Sequence, residues 1–316
     1  MSTLSGAVER TRGNTLRLGW ITAREPSDRL VRKVPSCQGK RHHAEEPLVN
    51  NPTEHDVLLT ETIGDVLVLS INSIATRNSV GPEFFRQATL SIKAAGANNS
   101  IGAIVLTGAG GFFSSGGNLK QLELIGQATA MVRRARLELL HELIREIKSC
   151  PKPVIMAVEG GAAGAGMSLA LAGDLLVSSN TAFFSAAYIK AGLSPDGGLT
   201  ASLARCLPRQ LFTELCLLGQ RIEAKRLYGL GVVNVLTEPG DAKRAAVALG
   251  EQLALGPQRA TARILELCRS AIANSFEQQL EAEAQAMVAS LVDTESSEGV
   301  AAVRERRRPD FRSLRR

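Results

Sequence analysis

Residues Gly160–Asp174 read GGAAGAGMSLALAGD. Seven glycines and alanines stand in a row, and an apolar helical run follows at once. Just upstream, KPVIMAVEG has the short, uninterrupted apolar character of a buried strand. Small residues between a buried strand and a helix let the backbone approach a ligand closely. The first N–H groups of the helix have no intrahelical acceptor and carry a partial positive charge. That combination suits an anion. Close packing of helix on strand is the alternative reading. A dinucleotide fingerprint is poorly matched: the run lacks GxGxxG, and no acidic residue follows about 20 positions later to hold a ribose. The absence of GK[ST] excludes a P-loop.

A second segment, GAGGFFSSGGNLKQL from Gly108 to Leu122, repeats the pattern of strand, glycine turn and helix start. Two such turns in one domain can aim two backbone N–H groups at one oxygen. The flanking sequence predicts an α/β body. VLLTET and DVLVLSIN are β-rich runs about a Gly64-Asp65 turn, which predicts a hairpin. A helix is expected from Pro82 towards Ala97, a strand at GAIVLTGAG, a long amphipathic helix over 128–148 and a strand at DLLVSS. After Gly197 the pattern is helical, broken only by a strand at GVVNVL. Phe276, Leu280, Ala284, Met287 and Leu291 form one apolar helical stripe, read either as core packing or as a subunit interface.

The 316 residues are 44% hydrophobic, enough for a sizeable core, and the longest uncharged stretch near the glycine run falls short of a membrane span. Five widely spaced cysteines suit reduced thiols in a cytoplasmic setting better than a disulfide framework. The net charge of +6 is local. Residues 1–43 carry nine Lys/Arg against three acids, and the tail RERRRPDFRSLRR, 304–316, carries seven Arg against two, so the body is acidic and no nucleic-acid partner is expected. Residues 1–53 read as a disordered basic extension. A start codon placed too far upstream, an Arg-rich transit peptide and a functional basic arm compete to explain it; Glu9, Glu25 and Asp28 favour the first.

FSSGGNL, VEGGAAGAGMSLALAGDLL and AGLSPDGG, in that order, resemble the FSAGADL, VNGxAxGGGxxLAxACDxx and GLxPxxGG motifs of the crotonase, or enoyl-CoA hydratase/isomerase, superfamily. The resemblance covers about residues 57–303. Within that superfamily TRNS, GFFSSGGNL, CPKPVIMAVEGGAAGAG, LSPDGG and LPRQLFTELCL are most similar to the bacterial group described as oxepin-CoA hydrolase, alternative type, associated with aromatic-ring breakdown.

The resemblance implies a ClpP/crotonase-like spiral of ββα repeats over 54–255, a helical oligomerisation region over 256–303 that supports a homotrimer or homohexamer, and a basic tail over 304–316. It implies an acyl-CoA substrate, with coenzyme A arriving as part of the thioester and no metal or separate cofactor. It places the N–H groups of Gly117 and Ala165 on the thioester oxyanion. Two preorganised donors lower such a barrier by roughly 3 kcal/mol each. Ala165 stands where glycine is usual, which is tolerable only at negative φ. Ala75, Arg77, Ser114, Ser115 and Gly116 fall on the CoA-binding positions.

The two glutamates of the family's hydratases are replaced by Ser168 and Tyr188, which puts ordinary two-carboxylate hydration in doubt. Asp196 falls on a working aspartate of the isomerase and dehalogenase branches, and Asp before Gly-Gly is also a common helix-capping residue. The dehalogenase branch further matches Tyr188 to an active-site aromatic and His141 to a water-activating histidine. On an amphipathic helix, however, His141 also reads as an ordinary packed or surface residue. The expected chemistry is hydration, isomerisation or hydrolysis of an unsaturated or cyclic acyl-CoA. The alternatives are aryl-CoA dehalogenation through Asp196 and His141, or an acyl-CoA- or RNA-binding relative without activity.

Overall fold

The structure, a computed structural model, describes residues 56–315; the basic extension read over 1–53 lies outside the described residues. The described residues open with the expected hairpin, β1 (Leu58–Ile63) and β2 (Val66–Ile71), antiparallel about Gly64. Thereafter the chain repeats one unit, a strand of the main sheet, a short strand outside it, and a helix. The first unit is β2, β3 (Ser79–Val80) and α1 (Pro82–Ala97). The second is β4 (Ala103–Gly108), β5 (Gly116–Gly117), α2 (Leu119–Gly126) and α3 (Ala130–Ser149). The third is β6 (Val154–Val158), β7 (Gly161–Ala163) and α4 (Ala165–Ala170), and the fourth is β8 (Leu175–Ser179), β9 (Phe183–Ser185) and α5 (Leu199–Cys206). This is the ββα spiral that the motifs imply.

α6 (Arg209–Leu218), β10 (Arg221–Glu223), α7 (Ala224–Gly229) and β11 (Val235–Thr237) follow. The strand expected at GVVNVL is thus confined to its end. The main sheet has the order β1-β2-β4-β6-β8-β11, parallel throughout except at β1. The short strands pair separately, β3 with β5, and β9 with β7 on one side and β10 on the other. A parallel sheet reached by helical crossovers is buried on both faces, which explains the uninterrupted apolar runs. One face, with Leu69, Ile104, Leu106 and Met156, packs on Phe84, Ile92, Leu143 and Ile147 of α1 and α3. The other, with Val66, Val68, Val105 and Ile155, packs on Ala242, Ala246 and Val247 of α8 (Ala242–Ala254).

Three helices complete the chain, α9 (Gln258–Ser270), α10 (Phe276–Leu291) and α11 (Thr294–Glu305). The stripe on α10 is not core within this chain: Phe276 is 75% exposed, Met287 62% and Leu291 67%. The basic tail turns back on the protein's own carboxylates. Arg307 pairs with Glu298 and Glu305, and Arg312 and Arg315 both reach Asp65 in the β1–β2 turn, at 2.7 and 2.9 Å. Among the described residues no helix is long and apolar enough to cross a membrane.

Candidate active site

The two glycine-rich turns lie side by side. Ser114 N–H donates to Gly161 O at 3.2 Å, and Ala163 N–H donates to Ser114 O at 2.9 Å. Gly116 follows with φ of +92°, and a Cβ there would stand 2.6 Å from Ala163 O and 3.2 Å from Ala165 N, so no side chain fits between the turns. The N–H of Ala165, the first residue of α4, has no intrahelical acceptor. The positive φ of this turn falls on Gly164 (+53°), and Ala165 is outside the left-handed region, so its methyl costs nothing. Gly117 and Ala165 both line a cavity of about 160 Å³.

Asp196 lines the same cavity. Its carboxylate does not cap α5, whose N-cap is Gly198 without a side-chain bond. Instead Oδ1 accepts a 2.6 Å hydrogen bond from the Tyr188 hydroxyl. The buried Ser168 hydroxyl lies 2.8 Å from Tyr188 Oη and 2.9 Å from the Asp196 carbonyl. Burial raises the Asp196 pKa above the usual carboxylate value, while the Tyr188 bond and the positive field of His141 pull it down. Tyr188 is itself pushed up, by burial first and then by the neighbouring Asp196 charge, so it stays a protonated donor.

The remaining predicted residues divide. His141 faces Glu138, with Nδ1 3.7 Å from its carboxylate, and does not line the cavity. Ala75 lines a larger adjoining cleft of about 900 Å³, which shares Val80, Gly81, Asn118 and Arg136 with the inner cavity. Ser114 is fully buried: its hydroxyl donates to Asn78 O at 2.7 Å and accepts from Gly116 N–H at 3.1 Å, so it braces the turn rather than facing the cleft. Ser115 hydroxyl donates to Thr76 O at 2.8 Å. Arg77 is exposed in a left-handed conformation and lines neither cavity. Asn78, also left-handed, is buried and clamps the loop by donating to Ala109 O and Phe112 O.

Sequence reasoning missed the cavity's helical wall. Leu122 and Ile125 of α2 and Arg133, Arg136, Leu137 and Leu140 of α3 line it. The spacing of 133, 136, 137 and 140 is one helical face, a signal present in the sequence but not distinguishable there from a solvated one.

The enoyl-CoA hydratase/isomerase family profile matches residues 61–314, and the chain belongs to that family. Among solved structures it is similar to an enoyl-CoA hydratase from Polaromonas sp. JS666, with 41% identity and a TM-score of 0.79, covering 80% of this chain and 98% of that one. Among characterised relatives it is 30% identical to the 1,2-epoxyphenylacetyl-CoA isomerase of Escherichia coli (strain K12), over 81% of this chain and 98% of the relative. It is 28% identical to the trans-2-decenoyl-[acyl-carrier-protein] isomerase of Streptococcus mutans, over 78% and 94%.

Proposed function

We propose that the protein is an acyl-CoA isomerase that shifts a proton, and with it a double bond, along an unsaturated or cyclic acyl chain. The observation that carries this reading is that Asp196 is the single carboxylate among the residues lining the cavity that holds Gly117 and Ala165. Addition of water through two carboxylates lacks its second group, because Ser168 and Tyr188 are engaged with each other and with Asp196. A single base suffices for isomerisation. Asp196 removes a proton from carbon, the electron pair moves onto the thioester oxygen held by the Gly117 and Ala165 N–H groups, and the carboxyl returns the proton at another carbon as the enolate collapses. A carboxyl with a raised pKa is suited to hold that proton between the two steps.

The adjoining cleft beside Ala75 has the volume for the CoA portion, entering past Val80 and Asn118. The exposed α10 stripe supports assembly into an oligomer, and the family resemblance makes that a trimer or a dimer of trimers. Dehalogenase-like hydrolysis is less well supported, because His141 stands outside the cavity. The test is incubation with a panel of unsaturated acyl-CoAs in D2O, followed by NMR. Migration of the double bond is expected with little deuterium at the new position, because one carboxyl carries the same proton from carbon to carbon. Net addition of water without migration, or no turnover of any member, overturns the reading.

A further inference from the structure

Four arginines project from α3 at positions 133, 134, 136 and 145. Arg134 and Arg145 pair with Glu138 on the same helix, at 3.9 and 2.7 Å. Arg133 and Arg136 line the inner cavity, and neither has a carboxylate within ion-pair distance among the described residues. Arg133 donates to the Gly126 carbonyl at the end of α2 at 3.0 Å, and Arg136 to the Gln121 side chain at 2.5 Å. Each guanidinium has five donors, so most of its capacity is left over. The wall around them is apolar, formed by Phe85, Leu122, Ile125, Leu137 and Leu140. Burial already disfavours the charged form of Arg136. Arg133 is exposed and Arg136 part-buried, so water covers part of each charge; what both offer an occupant of the cavity is positive charge and unspent donors.

We infer that the acyl group bound here carries an anion, a carboxylate, at the end remote from the thioester, and that Arg133, assisted by Arg136, receives it. This rests on the acyl-CoA reading above and narrows its substrate class. The placement fits. Leu140 packs beside the Gly197 turn next to Asp196, and Arg136 and Arg133 lie one and two helical turns back along α3, about 6 and 10 Å by helical rise. The carboxylate would therefore be held well clear of the carbons that exchange protons. The phosphates of CoA are a poorer match for Arg133. It lines only the inner cavity, whose 160 Å³ is too small for a nucleotide, whereas the 900 Å³ cleft has Arg86 of its own.

The experiment compares two unsaturated acyl-CoAs of equal chain length, one ending in methyl and one in carboxylate, by kcat/KM and by calorimetric binding. The wild-type protein is expected to favour the carboxylate by roughly 10- to 100-fold, as charge-assisted hydrogen bonds allow. In Arg133→Met the ratio of the two kcat/KM values should fall towards one, Arg133→Lys should keep part of it, and Arg133→Glu should invert it. A wild-type preference for the methyl-ended substrate overturns the inference, as does an Arg133→Met loss shared equally by both substrates or by free CoA. If nothing is turned over, the isomerase reading falls by itself, and the binding ratio for the same pair still decides this one.

Discussion

The Tyr188 hydroxyl donates to Asp196 Oδ1 at 2.6 Å, and the Ser168 hydroxyl lies within hydrogen-bond reach of both that tyrosine and the Asp196 carbonyl. One oxygen of the carboxylate is thus fixed by the protein, on a residue that lines the same cavity as Gly117 and Ala165. Ser168 fixes the other side of the tyrosine. Ser168 and Tyr188, which the resemblance sets at the positions of the family's two glutamates, here brace Asp196.

Asp196→Asn keeps the size and the acceptor for Tyr188 but removes the base, so kcat should fall roughly 10²–10⁴-fold with little change in acyl-CoA affinity. Because burial raises the native pKa of Asp196, its charge is tolerated worse in the folded than in the unfolded protein. The aspartate protein is therefore relatively most stable at acid pH and loses stability as pH rises through the native pKa. Thermal melts should show the Asn variant gaining on wild type from acid to neutral pH. An unchanged kcat would show that Asp196 is not the proton-transfer group.

Tyr188→Phe removes the hydrogen bond that pulls the Asp196 pKa down. Burial is then less opposed, the pKa rises further, and the acid limb of kcat/KM moves to higher pH. A pH–rate profile whose acid limb stays put, or moves down, would separate Tyr188 from the base.

Ala165→Pro deletes the proposed oxyanion donor at the first position of α4, where proline is well accepted. Turnover should fall about 100-fold or more while the protein still folds and binds acyl-CoA. Ala165→Gly keeps the N–H and should stay within a few-fold of wild type. Circular dichroism and steady-state kinetics on the pair give the answer; a folded, fully active Pro variant removes Ala165 from the hole.

Charged substitutions on the α10 stripe, Leu280→Glu with Met287→Glu, should lower the assembly state in sedimentation velocity without unfolding the spiral, because both side chains are exposed within the chain. A wild-type protein that sediments as a monomer would refute the interface reading.

Much of the spiral was legible because each of its units has a strong local signal. The Gly64 turn, Pro82 at the start of α1 and the apolar runs of β4, β6 and β8 mark themselves by turn chemistry and period. The two glycine-rich turns that the structure sets side by side were legible, since such turns show in any sequence. The roles fixed by distant contacts were not. Ser114 faces inward because Asn78, 36 positions earlier, offers it a carbonyl. Arg315 reads as part of a free basic tail until Asp65, 250 positions away, is placed beside it. Arg133 and Arg136 belong to a helix whose charges ordinarily read as a wet face.

The division of labour between the two sides of the cavity bears on how such a protein diverges. The proposed grip on the thioester is made of main-chain atoms, which substitutions alter only by forcing a side chain into a gap such as that between Gly116 and Ala163. The opposite wall is made of side chains on α2 and α3. A duplicated gene can therefore accumulate changes along those two helices and acquire a new acyl preference in a few steps, with the catalytic apparatus inherited intact. Loss of activity and change of diet are, in this architecture, separate mutational events.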